Sequence, residues 1–144
     1  METKQLLVTS LISGSPSTVW AYYNEPEHIV NWNAAHESWS CLKAENDMRE
    51  GGRFLYRMEA KDGSFGFDFS GIYSIVRPFD ELIYTLDDGR KVEVKFFSYE
   101  SKQTQVVVTF QPERTNSFEL QQQGWQAILD NFRKYVDTIE SSQK

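Results

Sequence analysis

SFELQQQGWQAILDNFRKYVDTIESS, residues 117–142, is the stretch on which the fold turns. At about 100° per residue, Phe118, Trp125, Ile128, Leu129, Phe132, Tyr135, Val136 and Ile139 fall within an arc of roughly 120°, one apolar stripe. The opposite side carries Glu119, Gln123, Gln126, Asp130, Arg133, Lys134 and Asp137. The spacing pairs Asp130 with Lys134 and Arg133 with Asp137 one turn on. Asn116, followed three residues later by Glu119, reads as a capping-box variant, with Ser117 the alternative N-cap. Such a helix is a rod of roughly 37 Å, long enough to cross a whole small sheet. Its apolar stripe requires a sheet to lie against.

The rest of the chain supplies one. Gln5–Ser13 (QLLVTSLIS) reads as a first strand closed by Gly14. Ser15 and Pro16 then start a short helix bearing Val19, Trp20 and Tyr23 on one side; Asn24 and Pro26 break it, and Pro26–Asn31 reads as a second. A loop over residues 33–38 follows. Six further strands are expected over residues 39–45, 52–60, 65–76, 81–86, 91–100 and 103–110. Tight turns are expected at Gly51-Gly52, Asp62-Gly63, Asp88-Gly89 and Ser101-Lys102, and Pro112 stops the last strand. Alternation places Phe54, Tyr56 and Met58 on one face, and Phe65, Phe67, Phe69, Tyr73 and Ile75 on one face of the returning strand. Asp68 is turned to the wet side.

Successive hairpins make an antiparallel sheet, and a sheet alternating wet and dry needs its dry face covered. The architecture expected is α+β: seven antiparallel strands wrapped on a long C-terminal helix, with two short helices after the first strand. Residues 1–144 read as a single domain, large enough to bury a core without metal or disulfide staples. A twisted sheet curls, so a straight helix touches it unevenly and leaves a cavity near one end. Aromatics make up 15 % of the chain, with 10 Phe, 7 Tyr and 4 Trp, which suits either a lined pocket or an aromatic β-rich core.

A net charge of −6, with no basic cluster able to track phosphates, argues against nucleic acid as a partner. The lone Cys41 forms no intramolecular disulfide, so the cytoplasm is the default compartment. Met1–Val8 has neither the layout of a signal peptide nor an apolar run able to span a bilayer, and the chain reads as soluble and unprocessed.

Several short stretches resemble one known family. Pro26–Trp32 (PEHIVNW), Asp47–Phe54 (DMREGGRF), Phe69–Tyr73 (FSGIY) with Pro78, Leu82–Thr85 (LIYT), and Gly124-Trp125 with Leu129 and Tyr135 resemble, in order, the activator-of-Hsp90-ATPase-homologue-like (AHSA1-like) group of the START-like, or Bet v 1-like, superfamily. The resemblance spans nearly the whole chain and implies a helix-grip fold that matches the one argued from the pattern. That superfamily includes lipid and hormone binders, polyketide cyclases and chaperone-contacting domains, so fold does not imply function. The resemblance carries over no catalytic residue: Gly51, Gly52 and Gly71 serve backbone shape, and Trp125 helix packing. The eukaryotic co-chaperones carry an additional N-terminal domain, whereas this chain opens on its first strand, which weighs against a chaperone role.

The ligand-binding set expected is Trp32, Trp39, Phe54, Tyr56, Phe67, Phe69, Tyr73, Tyr84, Trp125 and Leu129, an apolar lining with a few indole and hydroxyl donors. Tyr56, Tyr73 and Tyr84 stand out, because a buried phenol wants a hydrogen-bond partner and a ligand can be one. His36 is the one candidate acid or base at the pocket mouth; His28 is placed on the outside of the second short helix. No spacing gathers a metal site, and no cofactor is called for. Cys41 has no nearby cation in sequence to make it reactive. The leading expectation is a binder of a small hydrophobic molecule, monomeric or weakly dimeric, with a cyclase- or hydrolase-type enzyme and contact with an Hsp90-type chaperone as the alternatives. An exposed apolar patch on the outer sheet face would favour the chaperone.

Overall fold

The computed structural model describes residues 5–100 and 102–142. Ser101, half of one expected turn, and the terminal residues 1–4 and 143–144 lie outside the described residues. The order is β1 (Leu6–Ser13), α1 (Pro16–Asn24), α2 (Pro26–Trp32), β2 (Trp39–Asn46), β3 (Arg53–Ala60), β4 (Gly66–Arg77), β5 (Glu81–Leu86), β6 (Lys91–Tyr99), β7 (Gln103–Phe110) and α3 (Phe118–Ser142). The strands form one antiparallel sheet in the order β1-β7-β6-β5-β4-β3-β2. Five hairpins make most of it. The long excursion through α1 and α2 carries the chain from one edge strand, β1, to the other, β2.

Alternation sets the inner face. Leu6, Val8 and Ile12 of β1, Val92, Val94 and Phe96 of β6, and Val106, Val108 and Phe110 of β7 are buried on it. Phe132 and Val136 of α3 are fully buried against them. Two bulges change the phase. One between Cys41 and Lys43 turns Leu42 outward, 60 % exposed, and leaves Cys41 buried. The other, between Tyr73 and Ile75, passes the inward position to Val76, so Ile75 does not share the face of Phe67, Phe69 and Tyr73. An extra residue in one strand shifts every later side chain to the other side, which the alternation rule alone cannot foresee.

Glycines allow the sheet to bend where it must. Gly51 sits at φ 85° in the β2–β3 turn, a conformation side chains with a Cβ rarely adopt. At Gly71 a Cβ would stand 2.5 Å from the Thr85 carbonyl oxygen and 3.0 Å from the Phe54 ring, so only hydrogen fits.

Helix α3 begins differently from the capping-box reading. Ser117 is the cap, its hydroxyl accepting from the Leu120 N–H at 3.1 Å, while Asn116 is held by the Glu113 carboxylate. Phe118, expected within the apolar stripe, lies in the first turn beyond the sheet and is 44 % exposed. Neither expected i,i+4 ion pair forms among the described residues: Asp130 accepts from Gln126 and Asp137 from Ser13. These carboxylates find neutral donors on the same face or on β1, a weaker but closer choice than a long cationic side chain.

The helix approaches β1 more closely than any other strand. Gln122 and Gln126 donate to the outward carbonyls of Leu7 and Thr9 at 2.8 and 3.0 Å, covering the sheet edge at β1 with side-chain amides. Held against one edge, α3 stands away from the curled β3–β5 region, and space opens there.

Candidate functional site

That space is a cavity of about 360 Å3 between α3 and the inner face of the sheet. Trp125, Ile128 and Leu129 cover it from the helix; Tyr56 and Met58 of β3, Phe67, Phe69 and Tyr73 of β4, and Leu82 and Tyr84 of β5 form its wall on the sheet. Tyr23, Asn24 and Trp32 close it from the two short helices. Trp125 is positioned by stacking on Phe110, with ring centroids 4.1 Å apart and planes 10° apart, and by an edge contact with Phe69. Beside it Gly124 lines the cavity, and a Cβ added there would meet nothing within 4 Å. A mid-helix glycine costs helix stability; here it leaves the roof open.

Eight of the ten residues named from sequence line this cavity: Trp32, Tyr56, Phe67, Phe69, Tyr73, Tyr84, Trp125 and Leu129. The other two do not. Phe54 is 2 % exposed, packed among the rings of Tyr56, Phe69, Tyr73 and Tyr84. Trp39 does not reach it: half-buried, it packs beside the cavity against the rings of Phe65 and Phe67, which are 62 % and 42 % exposed. Trp125 itself is only half-buried, whereas Phe132 is the fully buried aromatic of the helix.

Sequence reasoning missed the polar lining. Tyr23, Asn24 and Asn33 come from α1 and the loop after α2, Arg90 from the β5–β6 turn, Glu113 and Asn116 from the β7–α3 connection, and Gln121 from the first turn of α3. For Arg90 a signal existed: it is in phase with Val92, Val94 and Phe96, whose side chains point inward. Asn33, Glu113 and Asn116 sit on irregular backbone that no period describes, while Tyr23, Asn24 and Gln121 lie at helix ends whose placement packing decides. Buried Gln121 fixes the connection, its amide oxygen accepting from the Glu113 N–H and its amide nitrogen donating to the carbonyls of Glu113 and Asn116.

Four phenols, Tyr23, Tyr56, Tyr73 and Tyr84, face this space and lie close enough to feel one another's charge. Burial pushes the pKa of each well above the ordinary tyrosine value. All four are therefore neutral donors at neutral pH. For Tyr84 burial is the main cause, and the Arg90 guanidinium opposes it. The Tyr73 hydroxyl donates to Asn46 Oδ1 at 2.6 Å, and Asn46 Nδ2 donates to the Asn24 carbonyl at 2.8 Å, tying β4 through β2 to α1. The Trp32 indole donates to the Tyr22 carbonyl at 3.0 Å, so its donor is already used.

The histidines lie elsewhere. His36 is exposed and hydrogen-bonded to Ser38 at 2.8 Å; it does not line the cavity. His28 is not on the outside of α2: it is half-buried, with Nδ1 2.7 Å from the Tyr135 hydroxyl and its ring edge-on to Tyr22. Glu25, Glu27 and His28 bring their ligating atoms within 4.8 Å of one another, on the surface and away from the cavity. Cys41 is buried, and burial pushes its thiol pKa up, toward the inert protonated form. Among the described residues no helix is long and apolar enough to cross a membrane.

A family model described as "Activator of Hsp90 ATPase homolog 1-like protein" matches residues 13–137. The solution structure of the AHSA1-like protein from Aeromonas hydrophila superposes with a TM-score of 0.88 at 39 % identity, over 95 % of this chain and 94 % of that one. A solution structure from Cytophaga hutchinsonii gives 0.81 at 42 % identity, again over 95 % and 94 %. A crystal structure of a Rhodobacter sphaeroides protein, 14 % identical with a TM-score of 0.82, covers 99 % of this chain and 95 % of its own and speaks for the fold alone. No protein of curated function matches the chain.

Proposed function

The chain belongs to the activator of Hsp90 ATPase homolog 1-like family of START-like, helix-grip proteins, and from that premise we propose that it binds a small hydrophobic molecule between α3 and the sheet. The observation that carries this reading is the cavity of about 360 Å3, lined by aromatic and aliphatic side chains with a few oriented polar groups. That size and mixture are those of small-molecule sites. The ligand-contacting set is Trp32, Tyr56, Phe67, Phe69, Tyr73, Tyr84, Trp125 and Leu129, joined by Tyr23, Gly124 and Ile128. Residues 1–144 act as one domain in this reading.

The catalytic alternative is less well supported. His36, its candidate acid or base, lies outside the cavity, and the four phenols are held neutral, suited to donate a hydrogen bond rather than to remove a proton. The chaperone alternative called for a continuous apolar patch on the outer sheet face. Leu7, Leu11, Ile72 and Phe97 are exposed there, and they share that face with Gln105, which stands between Leu11 and Phe97, and with the ion pairs of Lys95 with Glu93, Arg53 with Asp87 and Arg57 with Asp68.

Native mass spectrometry of the purified protein tests the proposal, followed by thermal melts against a panel of fatty acids, flavonoids and polyketide-like aromatics. A co-purified mass, or a melting temperature that rises with ligand concentration as linkage requires, is the expected result. No mass and no shift across the panel would contradict it.

A further inference from the structure

The cavity contains two hydroxyls that the protein leaves unanswered. Tyr84 is 8 % exposed, yet among the described residues no group accepts a hydrogen bond from its hydroxyl, and the same holds for Tyr23. Their neighbour Tyr73, by contrast, donates to Asn46. Neither unanswered hydroxyl is sealed off: no buried side-chain oxygen lacks a partner among the described residues, so both open into the cavity. A phenol in such a place needs an acceptor, and the acceptor has to be whatever occupies the cavity.

The surroundings narrow its chemistry. Tyr84 pairs with Val92 across the β5–β6 ladder, and Arg90 lies two residues before Val92 on the same inward face, a diagonal neighbour of the phenol. One edge of Arg90 is committed, its Nε donating to Asp88 at 2.8 Å, and Glu113 lines the same end of the cavity with both carboxylate oxygens taken by Asn116. Two carboxylates against one guanidinium leave this end without the surplus positive charge an anionic head would need. The cation still makes Tyr84 a stronger donor by favouring charge on its oxygen. Two neutral donors in an apolar space suit an acceptor that carries no full charge.

Building on the binding reading above, we propose that the ligand is a neutral carbonyl compound, an aromatic ketone in class, whose oxygen is received by the Tyr84 and Tyr23 hydroxyls while its apolar body lies under Trp125. Fatty acids and other carboxylates then bind less well than ketones of the same size, because burying their charge is costly and no free cation compensates.

The test is a pair of probes of one shape, 2-acetylnaphthalene and 2-isopropenylnaphthalene, which differ in an oxygen exchanged for a methylene, with 2-naphthoate as the anionic arm. Affinities are measured by calorimetric titration for the wild type, Tyr84→Phe and Tyr23→Phe. The ketone is expected to bind the wild type about tenfold more tightly than the alkene, the worth of one good hydrogen bond. Each phenylalanine variant should lower that ratio toward one by weakening the ketone more than the alkene, a split that general damage to the cavity would not give. The infrared carbonyl stretch of the bound ketone should move to lower frequency in the wild type and back toward its value in an apolar solvent in Tyr84→Phe. Equal binding of ketone and alkene would overturn this inference and leave the binding reading standing. Tighter binding of 2-naphthoate, lost in Arg90→Gln, would overturn it in favour of an anionic ligand. Binding of none of the three would count against both.

Discussion

Trp125 and Phe132 lie two turns apart on one face of α3 and do different things. Phe132 is fully buried, in edge contact with Tyr23 and Trp32. Replacing it with alanine should cost about 3–5 kcal/mol in urea unfolding, the range for a buried aromatic whose hole cannot close. Trp125→Ala should cost clearly less, since the indole is half-buried and one side already faces a cavity, but it should abolish ligand-dependent stabilisation by removing the roof. Equal losses for the two variants would contradict this division. The roles depend on where α3 sits against the sheet, which the helical period does not reveal: at 100° per residue both belong to the same stripe.

At the scale of the element, Gly124 is the position where the helix gives up stability for space. Gly124→Ala should raise stability by about 1 kcal/mol, because the added Cβ meets nothing and the helix gains a better former. Gly124→Leu should keep the fold and weaken ligand binding, by placing a side chain where the ligand would lie. If Gly124→Ala were destabilising, the space above it would not be empty in solution.

The elements themselves were largely legible: periods of two and of about 3.6, with Gly and Pro punctuation, located all ten to within a residue or two. What escaped were events that break a period. A bulge between Tyr73 and Ile75 exchanged Ile75 for Val76, and the Ser117 cap displaced the Asn116 reading because the Glu113 carboxylate holds Asn116. The same limit applies to the site. Its sheet wall could be read from alternation, but Tyr23, Asn33 and Gln121 reach the cavity from helices and connections whose placement is decided by tertiary packing. Alternation gives the face of a strand, not the depth or the end of the sheet at which a side chain lies, which is why Phe54 and Trp39 do not line the cavity.

For the molecule as a whole, the four phenols buried at the cavity make stability fall at high pH. Below the unfolded tyrosine pKa of about 10, folded and unfolded chains hold the same phenolic protons and the four contribute no slope. Above it the unfolded chain releases them first while the folded chain retains them, because burial has raised its values. Stability should therefore drop as pH rises past 10, by up to about 5 kcal/mol per pH unit if all four stay protonated until unfolding. An absorbance titration of phenolate should show these four of the 7 tyrosines ionising together with loss of structure. A smooth titration of all of them in the folded protein would mean that the cavity is open to water.

The most direct test of the central claim is an amide and indole 1H–15N correlation spectrum recorded while 2-acetylnaphthalene is titrated into the protein. Binding between helix and sheet predicts saturable shifts centred on the Trp125 indole and on the amides of Gly124, Ile128, Leu129, Phe69 and Tyr84, with the outer-face residues Leu11, Glu93 and Phe97 unmoved. Shifts centred instead on the outer sheet face, or on exposed Phe65 and half-buried Trp39 alone, would place the ligand elsewhere than between helix and sheet.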